Sequence, residues 1–208
     1  MPASPTLIYA PDPQTPGLTP LRQAVTLAGL LAAQDDYHRG HGRRVAAYAE
    51  RLGRRLALAA GEIEMLRLAG LLHDIGKIAF SRELLCNRRR RLSPAMREEI
   101  RRHPVLGGEL LRAIRVADAV VDGVRFHHER RDGSGYPYGL RDSEIPRAAA
   151  VIGLADCFDA LTTDRSYQRG RGVKEALALL ATLAGRAFDR RLVEAFAQEI
   201  REHGPAAG

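Results

Sequence analysis

Tryptophan is absent from this 208-residue chain, cysteine occurs only twice, and aromatic residues make up 5% of it. The two cysteines, Cys86 and Cys157, lie far apart and form no Cys-x-x-Cys pair, which argues against a structural disulfide or a cysteine-based zinc site. Both read as small, mostly buried apolar residues. Long apolar runs are missing too. The longest, Ala24 to Ala33, is about half of what a membrane-crossing helix needs and carries Thr26 and Gly29. The first residues lack both a basic segment and an apolar secretory core, so no signal peptide is read and a cytoplasmic protein is expected. Lysine is scarce: of 32 basic residues only Lys77 and Lys174 are not arginine.

What is present is the balance of an ordinary globular chain, 27% charged and 45% hydrophobic. The formal charge of +7 favours anionic partners, from small nucleotides to nucleic acid, and is equally that of a solvated arginine-rich surface. Residues 1–20 hold six of the eleven prolines and read as a mobile leader, leaving 21–208 as a single domain. From about Leu21 the pattern is helical. Val45, Tyr48, Ala49, Leu52 and Leu56 form one apolar stripe, and after Gly61 a second runs through Met65, Leu66, Ala69 and Leu72. Ser93-Pro94, His103-Pro104, Pro146 and Asp189 mark further helix starts. Sustained strand-like alternation is absent. The expectation is an all-α bundle of about seven to nine helices, with irregular loops at Cys86–Leu92 and Arg130–Glu144.

Five of the seven histidines carry the chemical signal: His41, His73, His103, His127 and His128. His73-Asp74 and His127-His128 are adjacent pairs at the ends of apolar helical stretches. Neighbours on a helix point about 100° apart, so each pair suits two separate ions better than one. Asp156 lies in the apolar run AVIGLADCFDAL, where an isolated carboxylate is costly unless paired or metal-bound. Imidazoles and carboxylates from five segments suit a first-row divalent cluster of iron, manganese or zinc. Two such ions about 3.5–4 Å apart can polarise a phosphoryl group for in-line attack. In the loop HHERRDGSGYPYGL, Gly133, Gly135 and Gly139 allow turns closed to other residues, and Tyr136 and Tyr138 are able to stack on a planar ring.

HDIGK at 73–77, HHERRDGSGYP at 127–137 and ADCFDALTTDRSY at 155–167 resemble the HD-GYP family, the HD-superfamily phosphodiesterases of the bacterial messenger cyclic di-GMP. The resemblance runs from about Leu30 to Ile200. It implies an HD-type helical bundle with a dimetal site in its core, Fe or Mn held by His41, His73, Asp74, His103, His127, His128 and Asp156. Asp74 would bridge the two ions. By the same resemblance Lys77 meets the scissile phosphate, Arg165 faces the substrate phosphates, and Gly135 and Tyr136 shape a guanine pocket.

The chain also departs from the family pattern. Tyr37 stands where members holding three metals have a glutamate, which favours two metals, with Asp35 or Asp36 as substitutes if the helix starts differently. Four arginines, Arg88–Arg91, occupy the place of a Lys-Pro-Gly loop and would form either a lid for an anionic substrate or a solvated loop. Arg131 and Ser166 replace a common aromatic and a usual proline. Gln168 falls where a second basic residue is expected, with Arg169 as its stand-in.

The expected reaction is metal-bridged hydroxide attack on cyclic di-GMP, giving pGpG first, with the end product, pGpG or GMP, left open. A phosphohydrolase for another nucleotide and a non-hydrolysing cyclic di-GMP receptor remain alternatives. Binding to a nucleic-acid polymer ranks last, and no membrane association is expected. A protein partner or a homodimer is left open.

Overall fold

The computed structural model describes residues 40–81, 84, 92–164 and 169–206, with Arg22, Val25, Thr26, Ala28 and Gly29 before them. Outside the described residues lie the leader, Asp35, Asp36, Tyr37, Cys86, Arg88–Arg91, Arg165, Ser166 and Gln168. Among the described residues eight α-helices and two 3₁₀ turns follow one another without a strand. They are α1 (His41–Arg55), α2 (Ala60–Leu72), the turn Ile75–Ala79, α3 (Pro94–Arg101), α4 (His103–Ala113), α5 (Asp118–Phe126), the turn Asp142–Glu144, α6 (Arg147–Thr162), α7 (Val173–Leu183) and α8 (Arg190–His203). The all-α bundle expected from the sequence is the one observed.

Local chemistry accounts for the helix starts. Ser93 Oγ accepts from Met96 N at 3.1 Å with Pro94 opening the turn, and Asp189 Oδ1 accepts from Leu192 N at 3.1 Å. Glu62 Oε2 accepts from Ala59 N at 3.2 Å. Its helix therefore opens at Ala60, and Gly61, after which the second stripe is expected, sits inside the first turn.

Helix α6 is the axis. Val151, Ile152, Leu154, Ala155 and Phe158 are fully buried, because α1, α2, α5 and α7 all pack around it. The apolar stripe of α1 faces α2 and α6 as its spacing demands. At the α1–α2 crossing a Cβ on Gly70 would lie 2.7 Å from Ala46 Cα, so only glycine lets the two backbones approach this closely. Tyr48, Phe158 and Phe196 meet edge to face at 5.2–5.8 Å and join α1, α6 and α8. Truncating either phenylalanine to alanine costs about 3–5 kcal/mol by the usual cavity penalty. Cys157 is half-buried against this core.

Candidate metal centre

The starts of α1 and α4, the ends of α2 and α5, and the middle of α6 deliver side chains to one point. His41 and His103 are the first residues of their helices. His73 and His127 follow the last residues of theirs, and Asp74 and His128 come next in each case. The tight turn after Asp74 depends on Gly76, whose Cβ would meet His103 O at 2.0 Å. The backbone at Gly76 thus lies directly against the start of α4.

Ring orientation follows from the free backbone groups at helix ends. His73 Nδ1 donates to Gly70 O at 2.8 Å, His127 Nδ1 to Val124 O at 2.7 Å, and His103 Nδ1 to Ile100 O at 2.7 Å. A carbonyl only accepts, so each Nδ1 holds a proton and each ring turns its Nε2 to the interior. The Nε2 atoms of His41 and His73 stand 3.1 Å apart, and those of His103 and His127 3.3 Å apart.

Asp74 lies between the two sets. Its Oδ2 is 3.5 Å from His73 Nε2 and 3.8 Å from His41 Nε2, while Oδ1 is 3.3 Å from His103 Nε2. Asp156 Oδ1 stands 3.3 Å from His41 Nε2 and 3.9 Å from His73 Nε2. Three groups of ligand atoms lie within 4.8 Å of one another: His41–His73–Asp74, His73–His127–Asp156 and His103–His127–His128. All seven ligands expected from the sequence therefore come together.

The protonation pattern divides the cluster. Burial lowers His103 to about 4 and His128 to about 3, and takes His127 well below the imidazole range, with the neighbouring histidines acting in the same sense. His41 goes the other way: burial opposes its charge, but hydrogen bonds with Asp156 and Asp159 carry it up to about 9. Burial likewise opposes ionisation of Asp74 and Asp156. Lys77 and the histidines nonetheless hold Asp74 well below the carboxylate range, and His41 and His73 do the same for Asp156.

A divalent cation fits this donor set. His103 and His127 both spend their Nδ1 proton on a carbonyl, so two neutral Nε2 lone pairs face each other inside a buried site. Such a pairing is repulsive in the protein alone and is relieved by a cation accepting both lone pairs. Two carboxylates and five imidazoles match the preferences of iron, manganese or zinc.

The residues expected to meet substrate are distributed differently. Lys77 Nζ is 2.6 Å from Asp74 Oδ2, at the rim of the cluster. Tyr136 stacks on His128 with centroids 4.6 Å apart and planes at 28°, and Arg101 lies over its ring at 5.4 Å. Tyr138 instead turns outward, 48% exposed, with its hydroxyl accepting from Arg125 Nε at 2.9 Å. Gly135 packs against the backbone: a Cβ there would lie 2.5 Å from Glu129 Cα. Arg169 is exposed and forms no ion pair among the described residues. Arg131, the departure in the loop motif, pairs with Asp142 at 2.5 Å and Asp189 at 3.1 Å.

Three residues escaped the sequence reading. Asp159 and Arg44 bind behind His41, and both follow a candidate ligand by three residues, the spacing of one helix face. The burial argument that singled out Asp156 applied equally to Asp159. Glu129, 4% exposed, accepts from Tyr138 N at 2.7 Å and Leu140 N at 3.0 Å, and so clamps the glycine loop. Its position directly after the paired histidines was the available signal.

The HD domain family model matches residues 26–192. A cyclic di-GMP phosphodiesterase of Pseudomonas aeruginosa is 37% identical over 171 residues, covering 82% of this chain and 41% of the relative. A 3'3'-cGAMP-specific phosphodiesterase of Vibrio cholerae is 33% identical over 151 residues, covering 73% and 33%. The chain thus spans well under half the length of these curated relatives. Among solved structures, a HDG"Y"P protein from Bdellovibrio bacteriovorus superposes with a TM-score of 0.65 at 20% identity, covering 88% of this chain and 61% of that one. This likeness supports the fold. Among the described residues no helix is long and apolar enough to cross a membrane.

Proposed function

The chain belongs to the HD domain family, and within it to the HD-GYP group, and from that premise we propose that it is a metal-dependent phosphodiesterase acting on cyclic di-GMP. The observation that carries the reading is Asp74, whose two carboxylate oxygens face opposite sets of imidazole nitrogens. His41, His73 and Asp156 with Asp74 Oδ2 would hold one ion. His103, His127 and His128 with Asp74 Oδ1 would hold the second. When bound, Fe²⁺ or Mn²⁺ supplies Lewis-acid polarisation of a phosphoryl oxygen and activation of water.

The protein's own part is positioning and charge. The Lys77 ammonium, at the rim beside Asp74, offsets negative charge that develops on the phosphoryl oxygens. Tyr136, backed by His128, offers a flat surface to a guanine base, while Gly135 and Glu129 hold the loop in that position. Arg165 and Arg169 complete the phosphate contacts in this reading. One water is consumed per cut: its oxygen joins phosphorus, the bond to the 3′ oxygen breaks, and that oxygen takes the proton. The first product is linear pGpG, with GMP after a second cut.

The test is turnover by protein purified without oxygen and loaded separately with Fe²⁺ or Mn²⁺, with products resolved by chromatography. Cyclic di-GMP and 3'3'-cGAMP are supplied in parallel, and Asp74→Ala is the control. Production of pGpG or GMP by the wild type alone is expected. Faster turnover of 3'3'-cGAMP reassigns the substrate within the cyclic dinucleotides. Tight nucleotide binding without product by the metal-loaded protein replaces the enzyme with a receptor.

A further inference from the structure

Asp159 is fully buried on α6, one turn beyond Asp156, yet it belongs to the back of the site rather than to its ligand face. Its Oδ2 accepts from His41 Nδ1 at 2.7 Å. Arg44 grips the same carboxylate with a fork, Nε to Oδ1 at 2.6 Å and Nη2 to Oδ2 at 2.9 Å, and Nη2 also reaches Thr163 Oγ1 at 3.2 Å. His73, His103 and His127 each have Nδ1 fixed by a backbone carbonyl three residues earlier. His41 opens its helix and turns its Nδ1 to a side chain 118 residues away.

We propose that Asp159, held by Arg44, is the positioning residue that makes His41 a metal ligand. This rests on the metal-centre reading above. The carboxylate keeps a proton on Nδ1, so a cation that displaces the Nε2 proton meets a lone pair aimed between Asp74 and Asp156. It also lends negative charge to the ring and raises its basicity toward a cation. The guanidinium fork fixes the aim of the carboxylate and compensates its burial. Loss of such a partner behind a ligating histidine typically weakens metal affinity by about 10–100-fold.

The same helix provides the control. Arg51 and Arg55 of α1 grip Glu199 of α8 in a similar way, but Glu199 stands behind none of the seven ligands. The experiment measures Mn²⁺ binding to the whole chain by competition with a chelator, alongside urea unfolding of the metal-free protein. Asp159→Asn, which keeps the shape and loses the charge, should weaken one Mn²⁺ equivalent about 10–100-fold and leave the other unchanged. Arg44→Lys, which keeps the charge and loses the fork, should weaken the same equivalent by less. Glu199→Gln should lower the unfolding midpoint with Mn²⁺ affinity intact. If Asp159→Asn does not fold, Arg44→Lys decides by the same affinity measurement. Wild-type Mn²⁺ affinity in a folded but destabilised Asp159→Asn overturns the proposal. A wild type that takes up no Mn²⁺ overturns the metal-centre reading and this proposal with it.

Discussion

Among the described residues two regions gather histidine and carboxylate atoms within 4.8 Å of one another, and by residue type alone they look alike. One is the cluster around Asp74; the other is Glu199, Glu202 and His203 at the end of α8. The difference lies in what the oxygens already hold. Glu199 receives Arg51 Nε at 2.9 Å and Arg55 Nη1 at 3.1 Å, and Arg55 Nη2 takes Glu202 Oε1 at 2.7 Å. Guanidinium ions already occupy the places that a metal would need, and Glu202 and His203 are more than half exposed. Around Asp74 the donors are buried, the lone pairs of His103 and His127 face each other, and the partners are mostly imidazoles. A metal centre is distinguished from an ion-pair cluster by donors left in want of a cation, not by the residue list.

The largest effect should come from the residue shared by both halves of the cluster. Asp74→Ala removes oxygens facing both imidazole sets, so elemental analysis should find most bound metal gone. Turnover of the cyclic dinucleotide should fall on the order of 10³-fold or more. Retained metal with full activity would undo the distinction between the two clusters.

A graded version follows from the division of the site. His128→Ala touches only the half in which burial holds the imidazoles neutral, with His128 near 3 and His103 near 4. It should cost about one metal equivalent of two, read as metal per chain after gel filtration. Loss of both equivalents would mean that the halves load as one unit.

How far this was legible from the chain depends on distance along it. Each candidate ligand announced itself locally, through an adjacent pair, a carboxylate in an apolar run, or a motif of fixed spacing. The helix stripes did the same for the bundle, because burial repeats every three or four residues. The supports of the site were harder to see. Asp159 meets Arg44 across 115 residues, and nothing near either one names the other. The two tyrosines of the glycine loop read alike as stacking residues, but Glu129 bonds Tyr138 N and Leu140 N, and the loop then sends Tyr136 inward and Tyr138 outward. That choice goes with hydrogen bonds from the loop N–H groups to one buried carboxylate, which composition does not display.

The α8 cluster should answer to stability rather than to metal. Glu199→Gln leaves Arg51 without its charged acceptor and Arg55 with Glu202 alone, and should cost about 2 kcal/mol, lowering Tm by roughly 4–8 °C. Burial opposes ionisation of Glu199, but hydrogen bonds from Arg51 and Arg55 lower its pKa below the ordinary 4.5. A carboxylate whose folded pKa is depressed contributes stability above its unfolded pKa and loses it as pH falls through the folded value. The gap between wild type and Glu199→Gln should therefore be full at pH 6–7 and close below about pH 4.5 in thermal melts. A gap that widens on acidification would contradict the arginine grip.

The smallest effect, and the one that isolates the comparison, belongs to His203. Its Nδ1 is 3.0 Å from Glu199 Oε1, yet its side chain is 60% exposed and Glu199 already has two guanidinium partners. An exposed i,i+4 pair of this kind is worth about 0.3–0.5 kcal/mol, so His203→Ala should shift Tm by roughly 1–2 °C. Metal content should not change at all. Because His203 supplies the only imidazole of that three-residue group, a metal resident there would lose its nitrogen ligand and depart. A drop in metal per chain for His203→Ala, with His128→Ala unaffected, would exchange the roles of the two clusters.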